Sequence, residues 1–431
     1  MKHSKHFSKK ALQLTIGVTL IISLGFQSSS AAKILIPMNS TQTNHLKAYG
    51  VAFWILKSGG EVEWLLNYEG GSFLCAVYKD LEDRLLSRGV TYQEITSAEV
   101  SAIYRTIEVE NMEKVQLEKA PKMAVYSPPT HQPWDDAVTL ALAYAEITYD
   151  VVWDEEVLTG RLEEYDWLHL HHEDFTGQYG KFYAAYRNKI WYQQDVKTNL
   201  DMARKLGYTK VSKMKADVAL TIREYVVRGG FMFAMCSAPE TIDIALAARN
   251  TDIVPREFDG DPINTDATEN LDYSLTFAFE NFKPVLDPFI YSHSDIDTYP
   301  MRLTNFPNAR NDVFYLFDFS AKLDPVPTML VQNHVQIVNG FMGQATGFNK
   351  NYLKKFATIL GEVDGFPEAR YIHGNLGRGT FTFLGGHDPE DYQHMVGDPK
   401  TELKYHKNSP GYRLVLNNIL FPAAKKKERK T

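Results

Sequence analysis

The chain has 431 residues, is 44% hydrophobic and 13% aromatic, and carries a formal net charge of −7. That much apolar material can bury a large core, while the acidic balance argues against nucleic acid and anionic lipid as partners. The two cysteines, Cys75 and Cys236, are too few for a disulfide scaffold, although they can pair with each other.

The N-terminus reads as a signal peptide over residues 1–32. Lys2, Lys5, Lys9 and Lys10 form a basic start, Ala11 to Phe26 is uncharged and apolar, and Ser30 and Ala32 are small residues suited to cleavage. The predicted location is therefore outside the cytoplasm, periplasmic or secreted. Loss of four lysines makes the mature chain more acidic. No later stretch reaches the ~20 apolar residues of a membrane span.

Residues 33–120 read as an N-terminal β-α-β-α unit. Lys33–Met38 is an apolar strand, Thr43–Lys57 a helix stopped by Gly59-Gly60, Glu61–Leu66 a strand, and Leu81–Arg88 a helix. Residues 121–424 form a second series. Its predicted strands are 122–127, 149–153, 165–170, 231–235 and 379–384, and its predicted helices are 135–147, 214–227, 238–248 and 411–420. This alternation predicts an α/β fold with a doubly wound, mostly parallel, flavodoxin-like sheet. The pattern fails over about 250–332, which reads as a long irregular insertion over the site edge. Within it, Asp259–Asp261 and Asp295–Asp297 lack complete calcium-loop spacing and read as solvated turns. Residues 425–431 are a basic tail.

In an open parallel sheet, ligands bind beyond the C-terminal ends of the strands. Four polar segments fall there: Ser127–His131, His169–Asp174, Cys236 and His387–Glu390. Cys236 sits at a strand-to-helix corner between two small residues, Ala234 and Ala238, with Ser237 and Glu240 at capping-box spacing behind it. A helix N-terminus favours a thiolate, so Cys236 is a candidate nucleophile and the Ser237 and Ala238 amides a candidate oxyanion hole. The competing reading is a core cysteine. His387, after two glycines, is the candidate base, oriented by Glu390 or Asp388.

His169 and His171 share one face of a strand, so with Glu173 they form a candidate zinc set, to which His387 or His394 can add a ligand. The thiol reading needs no cofactor; the histidine cluster admits zinc. The expected partner is a small-molecule or glycan ligand. Three functions stay open: a thiol hydrolase acting on an amide or related small substrate, a metal-dependent hydrolase, and a non-catalytic binding or assembly module of the cell envelope.

Ala234-Met-Cys236-Ser-Ala238 and His387-Asp-Pro-Glu390 together resemble the class I glutamine amidotransferase-like superfamily. That resemblance implies a Cys-His-Glu triad on Cys236, His387 and Glu390. Here alanines replace the glycines of the usual Gly-x-Cys-x-Gly corner, and Asp388 lengthens the usual His-Pro-Glu motif. The run Gly377 to His387 also resembles the closing strand of trehalose-utilisation-type members. The mature chain is further similar to exported bacterial proteins labelled asparagine synthetase B, through Lys33–Met38, His45–Gly50, Glu63–Tyr68 and His169–Gln178. It has neither a cysteine directly after the initiator methionine nor a Ser-Gly-Gly-Leu-Asp-Ser loop, so ATP-dependent asparagine synthesis is not implied.

Overall fold

The computed structural model describes residue 1 and residues 33–130, 135–298, 312–324, 326–332, 335–341, 345, 347–391 and 396–424. The rest of the leader, the basic tail, His131 and His394 lie outside the described residues.

The N-terminal unit contains five strands. These are β1 (Lys33–Ile36), β2 (Val62–Leu66), β3 (Ser72–Ala76), β4 (Gln93–Ile95) and β5 (Glu113–Leu117). They run in the order β4-β1-β3-β2-β5, with every pairing antiparallel. The expected β-α-β-α unit is thus corrected to a five-stranded antiparallel sheet. A tight reversal between β2 and β3 makes this arrangement, with Asn67, Glu69, Gly70 and Gly71 all at positive φ. A Cβ on Gly70 would stand 2.3 Å from the Met38 carbonyl oxygen, so only glycine fits. One face, with Leu35, Leu65 and Leu74, packs on Val100, Ile103 and Ile107 of the helix Ser97–Val109, which opens with a Thr96–Glu99 capping box. The other face, with Ile34, Ile36 and Trp64, joins the main core.

The larger sheet has ten strands among the described residues. Its parallel part is β6 (Met123–Tyr126), β7 (Asp150–Val152), β8 (Trp167–Leu170), β9 (Phe231–Met235) and β15 (Gly379–Leu384), in the order β7-β6-β8-β9-β15. Beyond β15 the sheet turns antiparallel through β14 (Glu368–Leu376), β13 (Thr358–Glu362), β10 (Val313–Leu316) and β11 (Ile337–Asn339), while β12 (Phe348–Asn349) pairs with β14. The fold is therefore mixed α/β, with one antiparallel sheet and one mixed sheet. The segment read as a long insertion, about 250–332, includes β10.

Central strands buried on both faces read as continuous apolar runs. In β9, Phe231, Phe233 and Met235 enter one core with the helices Ala137–Ala145 and Pro410–Leu420, whereas Met232 and Ala234 enter the other with the helices Val211–Arg228 and Ala238–Ala247. The two sheets share the first of these cores. Gly50, in the helix His45–Lys57, passes so near the helix Ala137–Ala145 that a Cβ would lie 1.9 Å from the Ala145 carbonyl oxygen. Fully buried Arg413, from the last helix, reaches into the N-terminal unit and donates to the carbonyls of Met38 and Gly70 and to the Tyr49 hydroxyl.

Candidate functional site: a histidine-cysteine cluster at the strand ends

Because β6, β8, β9 and β15 run in one direction, their C-terminal ends lie together. From β8 come His169 and, just past its end, His171 and His172; from the end of β9 comes Cys236; from the end of β15 comes His387. From the segment after β6 come Asp135 and Asp136. Ligand atoms of His171, His172, Cys236 and His387 all lie within 4.8 Å of one another.

Cys236 has φ +55°, a left-handed backbone that a non-glycine residue adopts at a cost. Two hydrogen bonds fix the corner: the Cys236 amide donates to the Gly386 carbonyl, and the Ala238 amide donates to the His171 carbonyl, both at 3.1 Å. The second bond commits one of the two amides expected to form an oxyanion hole. The expected capping box is absent, since Ser237 makes no side-chain cap bond, and Glu240 instead accepts from Ser294 at 2.5 Å. Both cysteines are free, so the Cys75–Cys236 pairing does not occur. Burial pushes the Cys236 thiol up to about 12, with a hydrogen bond from the Ser237 amide pulling the other way.

The histidines are oriented by two adjacent aspartates. Asp136 caps the helix Ala137–Ala145 with one oxygen, accepting from the Thr139 amide at 2.7 Å. Its other oxygen lies 3.1 Å from His171 Nδ1 and 3.2 Å from His169 Nε2. Burial opposes ionisation of Asp136, but the two imidazoles hold its carboxyl well below the usual range. The second His169 nitrogen lies 3.1 Å from the Phe233 carbonyl, and burial lowers its pKa against the pull of Asp136. His172 Nε2 is 2.8 Å from the Asp135 carbonyl, and the Asp135 carboxylate is 3.9 Å from His387 Nε2. The facing nitrogens, His171 Nε2 and His387 Nδ1, are 3.2 Å apart.

Those contacts reassign two expected roles. Glu390 pairs with His406 Nδ1 at 3.0 Å, so the carboxylate facing His387 is that of Asp135. Asp388 accepts from the Tyr412 hydroxyl at 2.6 Å and from the Glu390 amide at 2.8 Å. Glu173 stands outside the histidine cluster, and Asp136 occupies the place expected for it between His169 and His171. Glu173 lines a neighbouring cleft, where burial pushes its carboxyl up to about 8. Asp135 and Asp136 are the residues that sequence reasoning missed. Their signal is an Asp-Asp pair opening a helix at the same strand end as the histidines.

Two other acidic groups behave as structural elements. Asp252, Asp259 and Asp261 converge on the Lys210 ammonium, which holds the place a cation would take. Asp295 accepts from the Lys283 amide and the Tyr352 hydroxyl, and Asp297 from the Ala345 amide.

The histidine-cysteine set fits a transition metal. Two nitrogens bound tetrahedrally to one zinc at roughly 2.0 Å lie about 3.3 Å apart. The observed 3.2 Å matches that spacing. Metal-bound histidines also present their other nitrogen to a carboxylate or carbonyl. His171 does so to Asp136 and His172 to Asp135.

No family model matches the chain, and no curated protein matches it. Among solved structures it is similar to two cytoplasmic proteins of Salmonella typhimurium. STM3548 has 12% identity and a TM-score of 0.34, with 71% of this chain and 100% of that one covered. STM1381 has 11% identity and a TM-score of 0.36, with 70% and 99% covered. A β-galactosidase from Bacillus circulans sp. alkalophilus aligns at 10% identity and a TM-score of 0.24, over 64% of this chain and 30% of that one.

Proposed function

We propose that this protein is an exported, metal-dependent hydrolase of a small substrate. Its ion is held by His171, His172 and His387, with the Cys236 thiol beside the site. The observation that carries the reading is the 3.2 Å approach of His171 Nε2 to His387 Nδ1, with His171 Nδ1 turned to the Asp136 carboxylate. Three imidazoles suit zinc. A zinc ion on three imidazoles keeps one coordination position open and supplies Lewis-acid chemistry. The chain's own groups do the positioning: the Asp136 carboxylate faces His171 Nδ1, the Asp135 carbonyl orients His172, and the Gly386 and His171 carbonyls pin the corner that carries Cys236. The strand order β7-β6-β8-β9-β15 and the helices on both faces support the doubly wound, amidotransferase-like arrangement.

The test is metal analysis of untagged protein. The expected result is close to one zinc per chain, lost in His387→Ala and kept in Cys236→Ser. Absence of metal, with no uptake of added zinc, overturns the reading.

One observation favours a second reading, the thiol hydrolase on Cys236 and His387 with Asp135 in place of Glu390. A non-glycine residue at positive φ at the end of a central strand is the backbone of a nucleophile elbow. Hydrolysis by metal-free protein that Cys236→Ala abolishes is the result that selects it.

A further inference from the structure

His172 forms part of the wall of a second feature, a narrow cleft open to solvent. Glu173 and Asp195 supply two half-buried carboxylates, and Trp153, Trp191 and Tyr179 supply aromatic walls. Lys215 lies at its base, but Asp154 holds its ammonium through both oxygens at 2.9 and 3.0 Å, with the Tyr126 hydroxyl at 2.9 Å. Asp174 is likewise satisfied, by the amides of Thr176, Gln178 and Gly180 and by His293. Among the described residues, no basic side chain lies within 4.0 Å of Glu173 or Asp195. Neither acid has an ion-pair partner of its own in the cleft, and the Lys215 ammonium, held by Asp154, acts on both only at longer range.

A separate observation marks the same wall as a place for a ligand. Trp153 is 5% exposed, and its indole N–H has no hydrogen-bond partner. A buried donor without a partner costs stability unless something accepts from it. Carboxylates beside aromatic faces recognise organic cations by charge and by cation–π attraction. The indole N–H adds a donor for an oxygen of the same molecule.

We propose that this cleft binds a substrate through an ammonium or guanidinium group, with Trp153 donating to an oxygen acceptor of the same molecule. As the substrate pocket of the histidine cluster, the assignment rests on the reading above, because His172 is common to both. Cation binding by the cleft itself does not require the metal.

The experiment is calorimetric titration of the full chain with aminocaproamide, and with caproamide as the same amide lacking the ammonium. Each titration is run on chelator-dialysed and on zinc-loaded protein. The expected result is binding of aminocaproamide about tenfold or more tighter than caproamide in both preparations, weakened about tenfold in Asp195→Asn. Trp153→Phe removes the indole N–H together with part of the aromatic wall and is expected to weaken both amides several-fold. Equal affinity for the two amides, no binding of aminocaproamide at millimolar concentration, or binding of maltotriose in its place overturns the proposal. A protein that takes no zinc yet prefers the ammonium retires the metal reading and keeps the cleft.

Discussion

The two cysteines sit in equally dry surroundings and differ in everything else. Cys75, on β3, lies opposite Ile34 of β1 and Val62 of β2 in extended backbone, and its thiol approaches the Ile34 carbonyl at 3.8 Å. Cys236 takes a left-handed turn and faces three imidazoles. Burial raises both thiols to about 12. Burial therefore does not distinguish a structural cysteine from a functional one; backbone conformation and neighbouring donors do.

The strongest way to break that comparison is alkylation. With both thiols near 12, iodoacetamide at pH 8 should label each about a thousandfold more slowly than an open thiol, followed by peptide mapping. Rapid labelling of Cys236 alone would separate the pair and favour the thiol hydrolase.

The histidines offer the next test. His373 is buried with a hydroxyl for company, its Nδ1 2.8 Å from Thr382 Oγ1, and burial lowers its pKa to about 4. Below pH 6.5 the unfolded chain takes up the proton while the folded chain does not. Stability should therefore be complete above pH 6.5 and fall as the pH drops towards 4, by about 3 kcal/mol from this residue. Urea melts of wild type and His373→Leu at pH 7 and pH 5 check this; an equal drop in both would count against it.

Substituting glycine sharpens the contrast between the thiols by its sign. Cys75→Gly removes a packed side chain from a strand and should cost about 2–3 kcal/mol. Cys236→Gly relieves a strained φ and should be neutral or stabilise by about 1 kcal/mol in metal-free protein. Chemical denaturation measures both. Asp136→Asn should weaken zinc binding about tenfold to a hundredfold, read by competition with a chromogenic chelator, while the Cys75 side of the molecule stays unchanged.

Much of the rim was legible because it depends on local rules. The bounds of β9 and β15 follow from apolar runs closed by glycine or by a helix start, and the Ala234-Met-Cys236-Ser-Ala238 spacing announces a corner. Strand direction then brings Cys236, His171 and His387 together without any pairwise signal. Partner choice among the acids was not legible. Glu390, three residues from His387, goes to His406, whereas Asp135, far away in sequence, faces the ring. The antiparallel strands were missed for a similar reason: pairing partners such as β10 and β13 are set by tertiary contacts that hydrophobic periodicity does not encode. Ser237 kept the sequence of a cap but not its bond, because its own backbone is already helical, and Glu240 is drawn to Ser294.

The reach of Arg413 has a consequence for the order of synthesis. A ribosome delivers β1 to β5 first, yet the guanidinium that satisfies the Met38 and Gly70 carbonyls emerges more than three hundred residues later. The N-terminal unit therefore lacks the Arg413 donor until the last helix has been made. A chain stalled before residue 413 would lack that donor and be more open to chaperones and proteases.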